Sequence, residues 1–264
     1  MKQITAIVTL LIILVGVNVQ PAFSQLEFKE PEVKSLDNPA TLLDKGLING
    51  MAFSLFINNY GFGIGGRYRR TVGPLTQFTT SMEITALKDA SEQTLNVGQQ
   101  IVPNKFKRVL TLPLKVGVKR RFFARDVSDN FRVYMGASAG PAVAFVLPYF
   151  KDINDDNVRT TQFDYFEPNY DFFKSWKKVD VVWGASGDLV LGIDFGNMKK
   201  IQSVQFGYSF HYFPEAIQIM QPVRPDQSAG YDPRNPNPDL LVPFFDEQSY
   251  FGTPRINIVL GGMW

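Results

Sequence analysis

The chain contains no cysteine and a single histidine among its 264 residues. The first absence excludes a disulfide framework, a thiolate metal site and a cysteine-borne lipid anchor. The second excludes a histidine-rich metal centre and leaves any histidine-dependent catalysis to His211 alone. Neither charge predominates: 27 lysines and arginines stand against 25 acidic residues, a net charge of +2, which makes no basic footprint for nucleic acid. Long apolar runs are also scarce. The run from Ile4 to Val17 follows Lys2 and precedes Ala22-Phe23-Ser24. It falls short of the roughly 20 residues that span a bilayer, and Pro21 follows soon after, so residues 1–24 read as a secretory signal peptide cleaved before Gln25. What the chain does hold is 23 Phe, 10 Tyr, 3 Trp and 21 Gly, a mixture that favours strands with tight bends over packed helices.

Past the signal, apolar residues recur with period two, the spacing at which strand side chains share a face. In Ser203–Phe213, Val204, Phe206, Tyr208, Phe210 and Tyr212 oppose Ser203, Gln205, Gly207, Ser209 and His211. In the closing segment, Ile256, Ile258, Leu260, Gly262 and Trp264 oppose Arg255, Asn257, Val259, Gly261 and Met263. Three further segments, 77–86, 110–119 and 180–194, and three weaker ones, 51–58, 61–69 and 131–145, complete a set of eight. Residues 133–150 carry no charge and approach the length of a membrane helix, but Gly136, Gly140, Pro141 and Pro148 favour a bent strand. The predicted connections alternate: short turns near 72–74, 122–130 and 196–200, and long loops elsewhere, except for a tight first hairpin at Asn58-Asn59-Tyr60. An even strand number with this parity predicts an all-β, eight-stranded antiparallel transmembrane barrel over residues 50–264, in the cell outer membrane, with residues 25–49 as a periplasmic N-terminal segment.

A soluble barrel turns its apolar face inward and a membrane barrel turns it outward. Here the polar face is crowded with glycine and charge, as a narrow lumen requires, and Tyr68, Phe131, Tyr212 and Trp264 tip the apolar face at strand ends, as interfacial girdles do. Outward-facing apolar residues are therefore expected to meet outer-membrane lipid. The last strand is expected to pair with the first and leave no free edge.

With these strands placed, LTLPLKVGVKRRFF (Leu110–Phe123) resembles the leucine-isoleucine-proline-leucine strand of the PorT-like outer-membrane β-barrel family of Bacteroidota. VYMGASAGPAVAF, GASGDLVLGIDFG and INIVLGGMW are similar to that family's fifth, sixth and last strands. The resemblance covers roughly Gly50 to Trp264 and implies an eight-stranded outer-membrane barrel. Some members of the family are tied to secretion or gliding machinery and most have no assigned activity, so the resemblance implies no catalytic residues. The terminal aromatic strand resembles the insertion signal of bacterial outer-membrane barrels, which implies the barrel assembly machinery as a partner.

Arg67, Arg69, Glu83, Lys115, Lys119, Arg132, Asp188, Asp194, His211 and Arg255 all fall on the inward face. An eight-stranded lumen is just wide enough for side chains to fill, so the charged ones predict a hydrogen-bonded ion network that plugs it, with a narrow channel or a small-ligand-binding barrel as the alternative. Ser209 and His211, with Asp194 across the sixth and seventh strands, raise a serine hydrolase. Such a barrel must present the pair to lipid, whereas the register turns both inward, so no catalytic residue, cofactor or resident metal is expected. Asp152, Asn154 and Asp156 have the opening spacing of a calcium loop but lack its glycine and distal glutamate.

The loop at 149–176 is rich in aromatics, which either pack on a neighbouring loop or form a patch for a protein partner. The loop at 214–252 includes QPVRPDQSAGYDPRNPNPD, read as an extended segment barred from ladders. Arg69-Arg70, Lys119-Arg120-Arg121, Arg125 and Lys199-Lys200 collect at the short turns, where they would hold anionic headgroups, while acids collect in the long loops. Asn38, Pro39 and Gly46 frame one predicted short helix, either a surface helix or one lying across the periplasmic mouth.

Overall fold

Strict alternation of bulky apolar residues with small or polar ones commits each segment to extended backbone, because only period two puts every large side chain on one face. In the computed structural model, which describes residues 39–96, 100–150, 158, 171–226, 230–232 and 237–264, eight long strands form on this pattern. They are β1 (Asn49–Asn58), β2 (Gly61–Thr71), β3 (Thr76–Leu87), β4 (Lys107–Arg121), β5 (Phe131–Pro148), β6 (Asp180–Phe195), β7 (Lys200–Ile217) and β8 (Gln248–Met263). Each pairs antiparallel with its chain neighbour, and β8 returns to β1 to close the barrel. The closure runs from Gly50↔Met263 to Asn58↔Arg255. The signal peptide expected over 1–24 and the candidate calcium positions Asp152, Asn154 and Asp156 lie outside the described residues.

The short turns 72–75, 122–130 and 196–199 gather at one end with residues 39–48, and the long connections gather at the other. Strands lengthen toward the loop end: β1 to β3 have 10, 11 and 12 residues, β4 to β8 between 15 and 18. Residues 133–148 are strand, and no helix among the described residues is long and apolar enough to cross a membrane.

Outward-facing Met51, Phe53, Leu55 and Ile57 of β1 are exposed, and so are Phe206, Tyr208, Phe210 and Tyr212 of β7 and Ile256, Ile258 and Leu260 of β8. Inward-facing Ser54, Glu83, Lys115, Asp188 and Asn257 are buried. The interior is nevertheless not polar from end to end. Leu87, Val109, Ala144, Val182, Phe213 and Phe251 fill the loop end with an apolar core. A second apolar cluster of Leu47, Ala52, Met198, Ile201, Val259 and Met263 closes the turn end. Buried ions fill the middle and, through Lys119, Arg132 and Asp194, reach the turn end beside the second apolar cluster.

Three local expectations are corrected. The helix framed by Asn38, Pro39 and Gly46 is instead a single turn over Leu42–Gly46. It starts at Thr41, whose hydroxyl accepts from Asp44 N (3.2 Å) while Thr41 N donates to the Asp44 carboxylate (3.1 Å). It stops at Gly46, whose φ of +67° suits glycine, with Leu47 N bonded back to Leu42 O. Starter and stopper lie too close for a second turn.

The proline-rich stretch does join a ladder: Val223–Pro225 pairs with Leu241–Pro243, the prolines sitting at the ladder's ends where a missing N–H costs least. Among the described aromatics of the β5–β6 loop, Phe150 packs on Phe106 at 5.7 Å and Trp176 on Phe145 at 5.5 Å, so these rings settle on the β3–β4 connection and on β5. A one-turn helix, Phe172–Ser175, follows Asp171, which caps it by accepting from Phe173 N and Lys174 N.

Candidate functional site: the ion network of the lumen

Inward positions two residues apart on neighbouring strands stack into layers, so charges on β3, β4, β6 and β8 meet across the axis. Glu83 of β3 is the hub, buried to 2% exposure. Arg255 of β8 grips it with a two-pronged contact of 2.8 and 2.9 Å, Lys115 of β4 donates at 2.7 Å, and Arg67 of β2 approaches to 3.5 Å. The forked geometry matches guanidinium to carboxylate and fixes both orientation and charge. Lys115 also bonds Asp188 of β6, which accepts from Ser209 Oγ at 2.6 Å and from Arg255 at 3.3 Å. The Phe56 ring lies under the Arg255 guanidinium, 4.5 Å from its centroid.

A second cluster lies toward the turn end. Asp194 pairs with Lys119 and, at 3.4 Å, with Arg69. Lys119 sits 3.5 Å above the Tyr134 ring centre, and Tyr134 shares a hydrogen bond with Ser203. The ring needs the absent side chain of Gly192, where a Cβ would come within 2.5 Å of it. Arg132 donates to the carbonyls of Asp129 and Gly196. Gln205 joins the two clusters: its amide nitrogen donates to Tyr134 at 2.6 Å, and its oxygen accepts from Arg67 at 2.9 Å and Asn257 at 3.0 Å.

All ten predicted lumen residues face inward. Tyr134, Gln205, Asn257, Ser203 and Phe56 were not among them. Tyr134 follows Arg132 by two positions, so alternation counted from Arg132 points to it.

The Ser209–His211–Asp194 reading is corrected by register. Asp188 faces Ser209, while Asp194 faces Ser203, six residues nearer the β6–β7 turn. Ser209 donates to a carboxylate already held by Lys115 and Arg255. His211 is buried at 3% exposure, with no hydrogen bond to its Nδ1 among the described residues. Among those residues, no group of three or more histidines, cysteines or acids is placed to hold a metal ion.

Outside the barrel, Tyr68, Phe131 and Trp264 stand exposed at the turn end and Tyr212 toward the loop end, stacked at 4.7 Å on Tyr250. The basic turns are divided by the pleat. Arg69 and Lys119 are buried in the lumen, and Arg121 is drawn to Asp129 at 3.0 Å and Ala40 O at 3.2 Å, which corrects their assignment to the surface. Arg70, Arg120, Arg125, Lys199 and Lys200 remain exposed. The Arg121 bond and that of Ala40 N to Asp129 (3.1 Å) hold the N-terminal turn across the turn-end mouth. At the loop end, Asn59, Tyr60, Asp89, Glu92, Gln248 and Tyr250 line a cavity of about 410 Å³.

The geometry defines a closed eight-stranded antiparallel barrel whose interior is ionic from mid-height toward the turn end, with an apolar core at the loop end and an apolar cluster beside the ions at the turn end. No family model matches the chain, and no curated protein matches it. Among solved structures the chain is similar to Neisserial surface protein A (NspA), with a TM-score of 0.38 and 8% sequence identity over 83% of this chain and 96% of that one.

Proposed function

We propose that the chain is an outer-membrane β-barrel protein of structural or interaction type, non-enzymatic, with a plugged lumen. The observation that carries this reading is the inversion of polarity: exposed Phe, Ile, Leu and Met ring the outside while ion pairs are buried inside. In water that arrangement would expose a continuous apolar belt and bury charges at a cost of several kcal/mol per ion. In a bilayer the belt is solvated by acyl chains, and closure satisfies every ladder hydrogen bond. The shortest strands suit the roughly 9–11 residues that cross an outer membrane, and the longer ones carry the wall past the loop-side headgroups.

Plugging is supported by the two apolar clusters and by the small size of the cavities, about 20 Å³ inside the lumen and about 40 Å³ at the turn-end mouth beneath the N-terminal turn. The resemblance to PorT-like barrels is in keeping with this reading, with the barrel assembly machinery as insertion partner and the loops at 149–176 and 214–252 as the surfaces for a protein partner. The loop-end cavity beside Tyr60 and Tyr250 favours a second reading, a small-ligand binder. It has the size of an ordinary ligand site.

The test is outer-membrane fractionation with a heat-modifiable gel shift, followed by planar-bilayer recording. The reading expects a fast-migrating unheated band in the outer-membrane fraction and no steady conductance. A soluble monomer without a heat shift contradicts the location, and sustained conductance contradicts the plug.

A further inference from the structure

The charges inside the barrel do not balance. Arg67, Arg69, Lys115, Lys119, Arg132 and Arg255 share the interior with Glu83, Asp188 and Asp194. Among the described residues, six cations against three carboxylates leave three positive charges without a counter-charge, while Arg121 at the mouth cancels against Asp129. Buried charge without compensation is strongly unfavourable. The carbonyls of Asp129 and Gly196 relieve Arg132. Arg69 has no such relief. It is buried to 2% exposure, and among the described residues its one ionic contact is the long 3.4 Å approach to Asp194 and its Nε and Nη2 have no hydrogen-bond partner.

Arg69 lines a cavity of about 20 Å³ between the two ion clusters, together with Arg67, Lys119, Ser81, Ser138 and Tyr134. The cavity also touches Asp188, but that carboxylate is occupied by Lys115, Arg255, Ser209 and, at 3.5 Å, Ser138. Three cations and several hydroxyls thus converge on a space the size of one water-sized body. Water would meet the idle N–H groups but not the surplus charge. Sulfate and phosphate are too large.

We propose that this cavity is a binding site for a single halide-sized monovalent anion, chloride, held by Arg69 Nε and Nη2 with Arg67 and Lys119 around it. The anion would complete the lumen network as a structural counter-ion, so the folded barrel would be more stable in chloride than in a salt whose anion cannot enter.

Two measurements on the refolded full barrel in detergent test this. Crystals grown in sodium bromide should give an anomalous peak within hydrogen-bonding distance of Arg69 Nε and Nη2. Urea unfolding at constant ionic strength should show a higher midpoint in chloride than in gluconate, with the unfolding constant falling about 11-fold when chloride reaches ten times its dissociation constant. Arg69→Gln removes the donors, and Ser138→Val fills the space while leaving every charge in place; either should abolish the chloride dependence. Arg120→Gln, exposed on the outside, should keep it. If Arg69→Gln does not fold, Ser138→Val and the wild-type bromide map still decide. A cavity holding only water in bromide crystals, or equal wild-type midpoints in the two salts, overturns the proposal.

Discussion

Replacing Glu83 by glutamine keeps the side chain's shape and removes the charge on which Arg255, Lys115 and Arg67 converge at 2.8, 2.7 and 3.5 Å. The hub is 2% exposed, so water cannot take the carboxylate's place. Breaking a buried ion pair by deleting one partner costs about 3–5 kcal/mol, mostly for the charge left behind. Here several cations are left behind in an interior already rich in them, so the upper part of that range applies. Against a total stability of about 5–15 kcal/mol the loss is large. With a urea slope near 2 kcal/mol/M, a loss in that upper part lowers the unfolding midpoint by about 2–2.5 M. The assay is urea titration of protein refolded into vesicles, with the fast-migrating unheated band as the measure of folded fraction. Adding Lys115→Met to Glu83→Gln removes one orphaned charge and should recover part of the loss, since the two sites touch and are coupled. A midpoint shift below about 0.5 M for Glu83→Gln, or a double variant weaker by the sum of both losses, refutes the hub.

Other consequences follow from the same structure. Gly192→Val drives side-chain atoms into the Tyr134 ring, which a Cβ alone would approach to 2.5 Å. Overpacking of this kind costs about 1–3 kcal/mol, read as a lower urea midpoint, and an unchanged midpoint would mean that the ring does not rest there. Ser209→Ala deletes the 2.6 Å bond to Asp188 and should cost about 1.5–3 kcal/mol while leaving lipid-ester hydrolysis at the blank rate in both proteins. A wild-type hydrolysis that the variant lacks would restore an enzymatic reading. Changing Arg70, Arg120, Arg125, Lys199 and Lys200 together to glutamine should weaken the preference for anionic over neutral vesicles, each residue contributing up to about 1 kcal/mol. Unchanged partition would assign these residues to solvation. The Thr41 side chain and then its backbone N–H hold the exposed Asp44 carboxyl below its usual range. A depressed carboxyl contributes its stability above the ordinary carboxylate pKa and loses it as pH falls through the lowered value. The 41–47 turn should therefore stay closed at mildly acidic pH and open only below it, as an NMR titration of the Thr41 and Asp44 amides would show.

The clearest strands were legible because their exterior faces are uninterruptedly apolar, as in Val204 to Tyr212, and no helical period sorts those residues; Gly66 in β2 and Thr80 in β3 interrupt theirs. The middle of the lumen was legible for the same reason, since Glu83, Lys115 and Asp188 each fall out of phase with the apolar positions. The ends were not. Leu87, Phe213, Phe251 and Met263 lie on the inward face, where an apolar residue beyond the ion layers carries no distinguishing signal in alternation alone. Partner choice across strands was also hidden, because it depends on register. Asp188 rather than Asp194 meets Ser209 only because the tight β6–β7 turn at 196–199 fixes the pairing, and equal counting from that turn leads from Ser209 to Asp188. The helical signals around Gly46 failed on length: Thr41 and Gly46 are valid starter and stopper, and one turn is all that fits between them.

The central claim is that the apolar face meets acyl chains while the polar face fills the barrel. The absence of native cysteine makes single-cysteine spin labelling clean. Labels at each position from Met51 to Ile57, in protein reconstituted into vesicles, should show oxygen accessibility rising at 51, 53, 55 and 57 and falling at 52, 54 and 56, with a water-soluble nickel complex reaching none of the outward sites near mid-bilayer. The opposite phase, or outward sites as open to nickel as a label in water, would contradict the account.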